Sequence, residues 1–264
     1  MPYKTIELSV AGPVTTLRMN RPDVMNAMDA ALLEDMLQAT EATVAAPDCR
    51  IIVVTGAGRA FCSGGDISTG LETVNGEGTL DQQAARLRRF MRISELLHTT
   101  DKVTVAAING ACAGAGLSVA CACDFRLAAD NAKFATAFQN VGVSGDFGIS
   151  WLLPRIVGPA RARQLMLDPK TLNAEQARAI GLVGEVHPAS ELADAVEALV
   201  GRLLSRTTLS LGYGKLNLAE TFDLSFADHM DREARRHAEC CRSTEAKCAA
   251  SAFFERRAPK PAGA

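Results

Sequence analysis

Two glycine-rich turns, each placed directly after a predicted buried strand, constrain this chain more than any other feature. The apolar runs 50–55 and 103–108 precede the turns at 60–67 (AFCSGGDI) and 109–117 (NGACAGAGL). Such runs predict buried strands, and the glycines predict a tight turn after each strand. Residues 115–122 predict a short helix after the second turn. Glycines and a helix N-terminus let backbone N–H groups face a ligand, so we hypothesise that one N–H from each turn binds the same oxygen.

The rest of the chain predicts a β/α core followed by helices. Alternating residues predict a hairpin over 3–9 and 13–19, and apolar spacing predicts a helix over 29–46 with Asp29 as N-cap. Further strands are predicted at 123–129 and 131–135. Helices are predicted over 80–99, 147–157, 159–168, 174–180, 190–205, 208–221, 225–242 and 244–257. We therefore expect an α/β core over 1–190 and a helical C-terminal module over 191–264.

Composition argues against several classes of function. The 264 residues carry a net charge of −2, which gives no global field to attract nucleic acid or an acidic membrane. The N-terminus shows no signal pattern and no apolar run approaches a membrane span, so we expect a soluble, cytoplasmic protein without a membrane partner. Eight scattered cysteines without a CxxC pair, and four histidines without ligand spacing, predict reduced thiols and no metal site.

Helix 80–99 leaves one alternative open. Four arginines share an arc of this helix, namely Arg86, Arg88, Arg89 and Arg92. A basic helix can bind phosphate or RNA, but we favour a solvated face opposite a packed face, because the chain as a whole is not basic.

Seven motifs in a fixed order resemble the crotonase (enoyl-CoA hydratase/isomerase) superfamily over nearly the whole chain. They are 20–23 (NRPD), 26–28 (NAM), 60–67 (AFCSGGDI), 107–110 (AING) continuing to Gly116, 132–134 (AKF), 153–158 (LPRIVG) and 252–259 (AFFERRAP). The resemblance implies a spiral of ββα repeats and a coenzyme A thioester substrate. It implies no cofactor besides the CoA that belongs to the substrate. It also implies homotrimers or dimers of trimers assembled through the C-terminal helices.

The resemblance further implies the residues of a site. In this family the thioester oxygen lies between two backbone N–H groups, and the matching residues are Gly65 and Ala115. Loops 68–79 and 136–146 are expected to line the acyl pocket. Contacts to the CoA ester are implied for Asn26, Ala27, Met28, Cys62, Ser63, Gly64, Asp66, Ile67 and Phe138, with Phe253 and Arg256 reaching the nucleotide of a neighbouring subunit. Plain helix packing explains Phe253 equally well.

The type of reaction depends on the carboxylates. Hydratases of the family use two glutamates, and the matching positions hold Ser118 and Phe138, so simple hydration is not favoured. Asp146 remains, in a stretch that resembles the phenylacetate-type and dienoyl-CoA isomerases, where an aspartate moves a proton. We expect Asp146 to act in this way, with a helix N-cap as its alternative role. A hydratase-type lyase of fatty acid metabolism and a non-catalytic acyl-CoA binder are the other candidates, and a related dehalogenase activity ranks lower.

Overall fold

A computed structural model describes residues 3–68 and 76–257, the last three of these by their backbone only. Its strands are β1 Ile6–Ala11, β2 Val14–Met19, β3 Ile51–Gly56, β4 Ala60–Cys62, β5 Val103–Ile108, β6 Ala111–Ala113, β7 Phe125–Ala129, β8 Lys133–Ala135, β9 Leu172–Asn173 and β10 Glu185–His187. Its α-helices are α1 Ala30–Ala45, α2 Leu80–Thr99, α3 Ala115–Ala122, α4 Ile149–Val157, α5 Pro159–Leu167, α6 Ala174–Ala179, α7 Leu192–Leu204, α8 Thr208–Ala219, α9 Phe226–Arg242 and α10 Thr244–Arg257. Two strands followed by a helix recur along the first half of the chain, as predicted for ββα repeats.

The strands form two sheets, and the chain passes repeatedly from one sheet to the other. The larger has the order β1-β2-β3-β5-β7-β10, and the smaller has the order β4-β6-β8-β9. Only β1 is antiparallel in the larger sheet, while β4, β6 and β8 run parallel in the smaller one. A long strand of the first sheet is therefore followed by a short strand of the second in three successive repeats.

Most predicted elements are present with bounds close to those expected. Helices α2 and α3 and strand β5 have the predicted bounds. The Asp29 carboxylate caps α1 by accepting from the Leu32 N–H, as predicted. The prediction was wrong at β4 and β6, which it included in the glycine turns, because three-residue strands are too short to show a two-residue period. Each turn at the site therefore follows a second, short strand.

The basic arc of α2 is neutralised by neighbouring carboxylates. Arg89 pairs with Glu34 and Arg92 with Glu41, both on α1, and Arg88 pairs with Glu95. The opposite face of α2 is buried through Phe90, Ile93, Ser94 and Leu97. These pairs support the expectation of a solvated face, and they leave little positive charge for phosphate or RNA to recognise.

By internal contacts the chain divides into two units, Met1–Ala198 and Leu199–Ala264. Within the second unit, Arg236 binds Glu220 through two hydrogen bonds of 2.9 Å, and the Thr208 N–H donates to Glu245. Its role in forming trimers stays a prediction. No helix in the described part of the chain has the length and apolarity needed to cross a membrane.

Five cysteines are buried in the first unit, and all eight are free thiols. The five are Cys49, Cys62, Cys112, Cys121 and Cys123. Burial raises the pKa of Cys62 to about 12 and that of Cys121 to about 11, so both thiols are protonated at neutral pH. The described residues contain no cluster of three or more ligand side chains suited to a metal ion.

Helix α3 packs so closely on β4 that one position accepts only glycine. A Cβ on Gly116 would lie 2.6 Å from both the Cβ and the carbonyl oxygen of Cys62. We expect Gly116→Ala to lower the free energy of unfolding by about 1–3 kcal/mol, because backbone and buried side chain must move apart. A methyl group added to Gly201 on α7 would meet no atom of the described residues within 4 Å, so Gly201→Ala is expected to raise stability by roughly 0.5–1 kcal/mol. Urea denaturation measures the free energy of unfolding of both variants. Equal changes in this free energy for Gly116→Ala and Gly201→Ala would contradict the close contact at Gly116.

Candidate active site

The two glycine turns lie side by side because the short strands before them are paired in parallel. Ala60 pairs with Ala111 and Cys62 with Cys112, so β4 and β6 end at the same edge of the smaller sheet. Gly64 has a φ of +103° and Gly114 a φ of +50°, values that favour glycine. A Cβ on Gly64 would lie 3.5 Å from the Cα of Gly114, so the turns are in van der Waals contact.

The first turn leaves the N–H of Gly65 without an acceptor among the described residues. The turn forms a parallel bridge with Met28, in which the Met28 N–H donates to Gly64 O at 2.8 Å and the Asp66 N–H donates to Met28 O at 2.9 Å. Along one strand of a parallel pair, the backbone N–H and C=O groups of consecutive residues point alternately towards the partner strand and away from it. The Gly65 N–H therefore faces away from Met28.

The second turn supplies a comparable donor at the start of α3. Ala115 is the first residue of that helix, and its N-cap, Gly114, has no side chain to accept a hydrogen bond. The first N–H groups of a helix have no partner inside the helix and carry its positive dipole end. Gly65 and Ala115 both line one cavity of about 340 Å³. The structure thus brings the two predicted donors to the same cavity.

Asp146 lines this cavity together with the two donors, as predicted for the proton-moving residue. It is half-buried, and its Oδ1 atom is inaccessible to solvent and has no hydrogen-bond partner among the described residues. Burial raises the pKa of this carboxyl group from 3.8 to about 6. The alternative N-cap role was wrong, because α4 begins at Ile149 with Gly148 as N-cap and without a side-chain cap. The two intervening turn residues shift the helix start past Asp146.

Apolar residues in strained backbone conformations form the wall around Asp146. Phe138 is buried, and its ring lies 4.0 Å from a Cβ built on Gly114 of the second turn and 3.8 Å from a Cβ built on Gly145, the residue before Asp146. Ala137 and Phe147, the residues before Phe138 and after Asp146, have φ values of +58° and +48°. Such conformations are uncommon outside glycine and collect at functional sites.

Ser118, the other position matched to a hydratase glutamate, is not available to a ligand. Its side chain is fully buried and donates to Gly114 O at 3.2 Å. It thus holds the first turn of α3 rather than facing the cavity.

Residues 26–28 support the first turn from behind. The Asn26 side chain is buried, donates to Ala57 O and Ala60 O, and accepts from the Arg21 N–H. Ala27 and Met28 are buried as well, and Arg21 binds Ala27 O. None of the three lines the cavity, so the structure gives them a supporting position, and their contact with CoA stays a prediction.

The remaining predicted contacts are spread over several environments. Ser63, Gly64 and Ile67 line the cavity, with Ile67 half exposed. Cys62 is fully buried beneath them. Hydrogen bonds from Ser68 and Arg21 hold the pKa of the Asp66 carboxyl below its ordinary value.

The two C-terminal contacts belong to the second unit. Phe253 is exposed on α10 and meets the ring of Phe254 edge to face. The side chain of Arg256 lies outside the described part of the chain, as do residues 69–75 of the predicted loop 68–79.

The sequence prediction named only part of the cavity lining. Loop 136–146 lines the cavity as expected, but its individual members Ala137, Val141, Val143, Ser144 and Gly145 were not identified. Leu87 of α2 was missed entirely. Its place on the apolar face of an amphipathic helix was the available signal, but that signal does not distinguish core from cavity.

Comparisons with known proteins identify the family of the chain over nearly its whole length. A family model described as enoyl-CoA hydratase/isomerase matches residues 10–263. The chain is 34% identical over 253 residues to 1,2-epoxyphenylacetyl-CoA isomerase of Escherichia coli, covering 95% of each protein. It is 32% identical over 262 residues to crotonyl-CoA hydratase of Syntrophomonas wolfei, covering 97% of each.

A solved structure has a fold closely similar to that of this chain. An enoyl-CoA hydratase from Polaromonas superposes with a TM-score of 0.87 at 28% identity, covering 97% of this chain and 98% of that one. This likeness confirms the α/β fold that the motifs predicted.

The raised pKa of Asp146 predicts a pH-dependent cost in stability. An unfolded Asp ionises near pH 4 but the folded one near pH 6, so the folded state binds the proton more tightly and loses relative stability as pH rises between these values. We expect Asp146→Asn to be more stable than the natural chain at pH 8, by up to about 3 kcal/mol, with the difference vanishing near pH 4. Urea denaturation at both pH values measures it. The exposed Asp48→Asn is the control, and a pH-independent difference for Asp146→Asn would contradict burial as the cause.

Proposed function

The chain belongs to the enoyl-CoA hydratase/isomerase family, and on that premise we propose that it isomerises an enoyl-CoA thioester in the cavity between Gly65, Ala115 and Asp146. The observation that carries the proposal is that Gly65, Ala115 and Asp146 line a single cavity, and that the Gly65 N–H and one carboxylate oxygen of Asp146 have no hydrogen-bond partner among the described residues. The donors suit an oxygen that gains negative charge, and the carboxylate suits a proton that must move.

The two N–H groups act on the thioester carbonyl. Removal of a proton from the acyl chain delocalises an electron pair onto the carbonyl oxygen and gives an enolate. Donors that are already aimed at this oxygen stabilise the charge without reorganising, and one such donor typically contributes about 2.7–4 kcal/mol to the transition state. The dipole of α3, which begins at Ala115, adds to the same effect.

Asp146 moves the proton between two carbons. In the ionised form it removes a proton from the carbon beyond a 2,3 double bond, and the charge spreads to the thioester oxygen. It then returns the same proton to the carbon next to the carbonyl, so the double bond moves by one position and no atom is gained or lost. A pKa of about 6 makes Asp146 a stronger base than an exposed aspartate while keeping it ionised at neutral pH.

Isomerisation is favoured over hydration by the carboxylates that the cavity offers. Hydration requires an acid and a base to add the parts of water, and the positions matched to the hydratase glutamates hold the buried Ser118 and the phenyl ring of Phe138. Asp146 is the one carboxylate among the described residues that line the cavity. A single carboxylate can serve a proton shuttle, because it gives back the proton that it takes.

Proline at position 115 tests the second donor. Proline has no N–H and is well tolerated at the first position of a helix, so Ala115→Pro is expected to fold while kcat falls about 100- to 1000-fold. Leu80→Pro places the same change at the first residue of the exposed start of α2 and serves as control. Steady-state kinetics and thermal denaturation check the pair. Full activity of folded Ala115→Pro would exclude this N–H from the mechanism.

Exchange with deuterated water tests Asp146 and the type of reaction together. We expect 2-enoyl- and 3-enoyl-CoA to interconvert without addition of water, with kcat/KM rising through pH 6 as the carboxylate ionises. Asp146→Asn is expected to bind these esters and lose turnover, whereas Asp48→Asn keeps it. Mass spectrometry of the products measures both the interconversion of the two esters and the turnover by each variant. A hydroxyacyl product would favour a hydratase, and binding without any product would favour a non-catalytic binder.

A further inference from the structure

Two peptide groups in series connect the side chain of Arg21 to the N–H of Gly65. One N–H of the Arg21 guanidinium donates to Ala27 O. The peptide group that contains Ala27 O also contains the Met28 N–H, which donates to Gly64 O at 2.8 Å. The peptide group that contains Gly64 O in turn contains the Gly65 N–H, and Gly65 lines the cavity. A row of hydrogen bonds thus runs from the guanidinium to the first proposed donor.

The planar trans peptide makes this row directional. The described part of the chain has no cis peptide bond. In a trans peptide the C=O and N–H groups point in opposite directions, so a hydrogen bond accepted by the oxygen fixes the line along which the nitrogen donates. Each bond in such a row also strengthens the next, by about 10–30%. The guanidinium therefore acts on both the direction and the strength of the Gly65 N–H.

Two carboxylates hold the guanidinium in place. Asp66 Oδ2 accepts from Arg21 Nη1 at 3.1 Å, and Asp29 Oδ2 lies 3.1 Å from Arg21 Nη2. The other oxygen of Asp66 accepts from the N–H and the hydroxyl group of Ser68, at 3.2 and 2.6 Å. Asp66 does not line the cavity, although both of its neighbours in the chain do. Its carboxylate is thus directed to the protein itself.

Partial burial distinguishes this ion pair from an ordinary surface pair. The side chains of Arg21 and Asp66 are 21% and 14% exposed. Those of Arg18 and Glu7, which form a pair at 2.8 Å on the first hairpin, are 46% and 50% exposed. Solvent and salt screen a partly buried pair less than an exposed one. The Arg21 guanidinium therefore has a defined position from which it acts on the peptide groups.

We propose that Arg21 is a positioning residue for the reaction, which orients and polarises the Gly65 N–H through the peptide groups 27–28 and 64–65 while Asp66 anchors its guanidinium. This proposal rests on the proposed function, because it assigns a support to one of the two donors. It gives Asp66 an internal role in place of the expected contact with CoA. Charge develops on the thioester oxygen only as the reaction proceeds, so loss of the support slows turnover rather than weakening substrate binding.

Steady-state kinetics of three variants with a 3-enoyl-CoA test the proposal. Arg21→Met removes every donor of the side chain, and kcat is expected to fall about tenfold while KM changes less than about twofold. This loss is smaller than that expected for Ala115→Pro, because the Gly65 N–H itself remains. Asp66→Ala removes one anchor, and kcat is expected to fall about threefold with KM unchanged. Arg18→Met breaks the exposed pair and is the matched control, expected to keep both constants.

Infrared spectra of a bound ester provide a second measurement, which does not depend on turnover. The probe is butanoyl-CoA labelled with ¹³C at the thioester carbonyl, whose stretching frequency falls as hydrogen bonds to its oxygen strengthen. Binding to the natural chain and to Arg18→Met is expected to lower this frequency equally. Binding to Arg21→Met is expected to lower it less, because the Gly65 N–H is a weaker and less well-directed donor.

The outcomes separate this inference from the proposed function. An unchanged kcat and an unchanged frequency shift in folded Arg21→Met would overturn the inference. A raised KM with unchanged kcat in Asp66→Ala would also overturn it, because that result indicates a CoA contact. If circular dichroism shows Arg21→Met to be unfolded, the same two measurements on Asp66→Ala decide the question. A natural chain that does not bind the ester, or binds it without lowering its frequency, would instead overturn the proposed function.

Discussion

The contact between Gly64 and Gly114 is the constraint on which the rest of the site depends. Two chain segments about fifty residues apart bring Gly65 and Ala115 to one cavity because their backbones touch at Gly64 and Gly114, and both glycines have a positive φ that side chains rarely adopt. The parallel pairing of β4 with β6 brings the turns together, and Asn26 fixes the first turn from behind. The smaller sheet thus brings the two turns together while its Phe61 and Phe134 side chains pack in the core.

The carboxylate at the site is held in an unfavourable state by its surroundings. Burial of the Asp146 carboxyl group, with no hydrogen-bond partner for one of its oxygens among the described residues, raises its pKa. The same burial that makes the folded chain less stable makes the carboxylate a better base. In the proposed mechanism, preorganised N–H donors stabilise the negative charge that develops on the substrate, whereas the carboxylate of the protein lacks such donors and is therefore more basic.

The sequence predicted the long elements and the residues of the turns, because periodicity, caps and glycines are local signals. It did not predict β4 and β6, since strands of three residues are specified by pairing with distant residues rather than by their own pattern. It also did not predict that the Asn26 side chain donates to the carbonyl groups at 57 and 60, because those partners are distant in sequence. Leu87 escaped notice because a helix pattern shows which face is apolar and not whether that face meets protein or empty space.

The buried thiols beneath the site have a practical consequence. Four buried thiols lie near the two turns and α3, namely Cys62, Cys112, Cys121 and Cys123. Burial shields all four from reagents, and it raises the pKa of Cys62, Cys112 and Cys121, so these thiols are unreactive in the closed fold. A thiol reagent reaches them only during a local opening of this layer. The natural chain therefore carries its own reporters: the rate at which these buried sulfurs are modified measures how often the layer beneath the two turns opens.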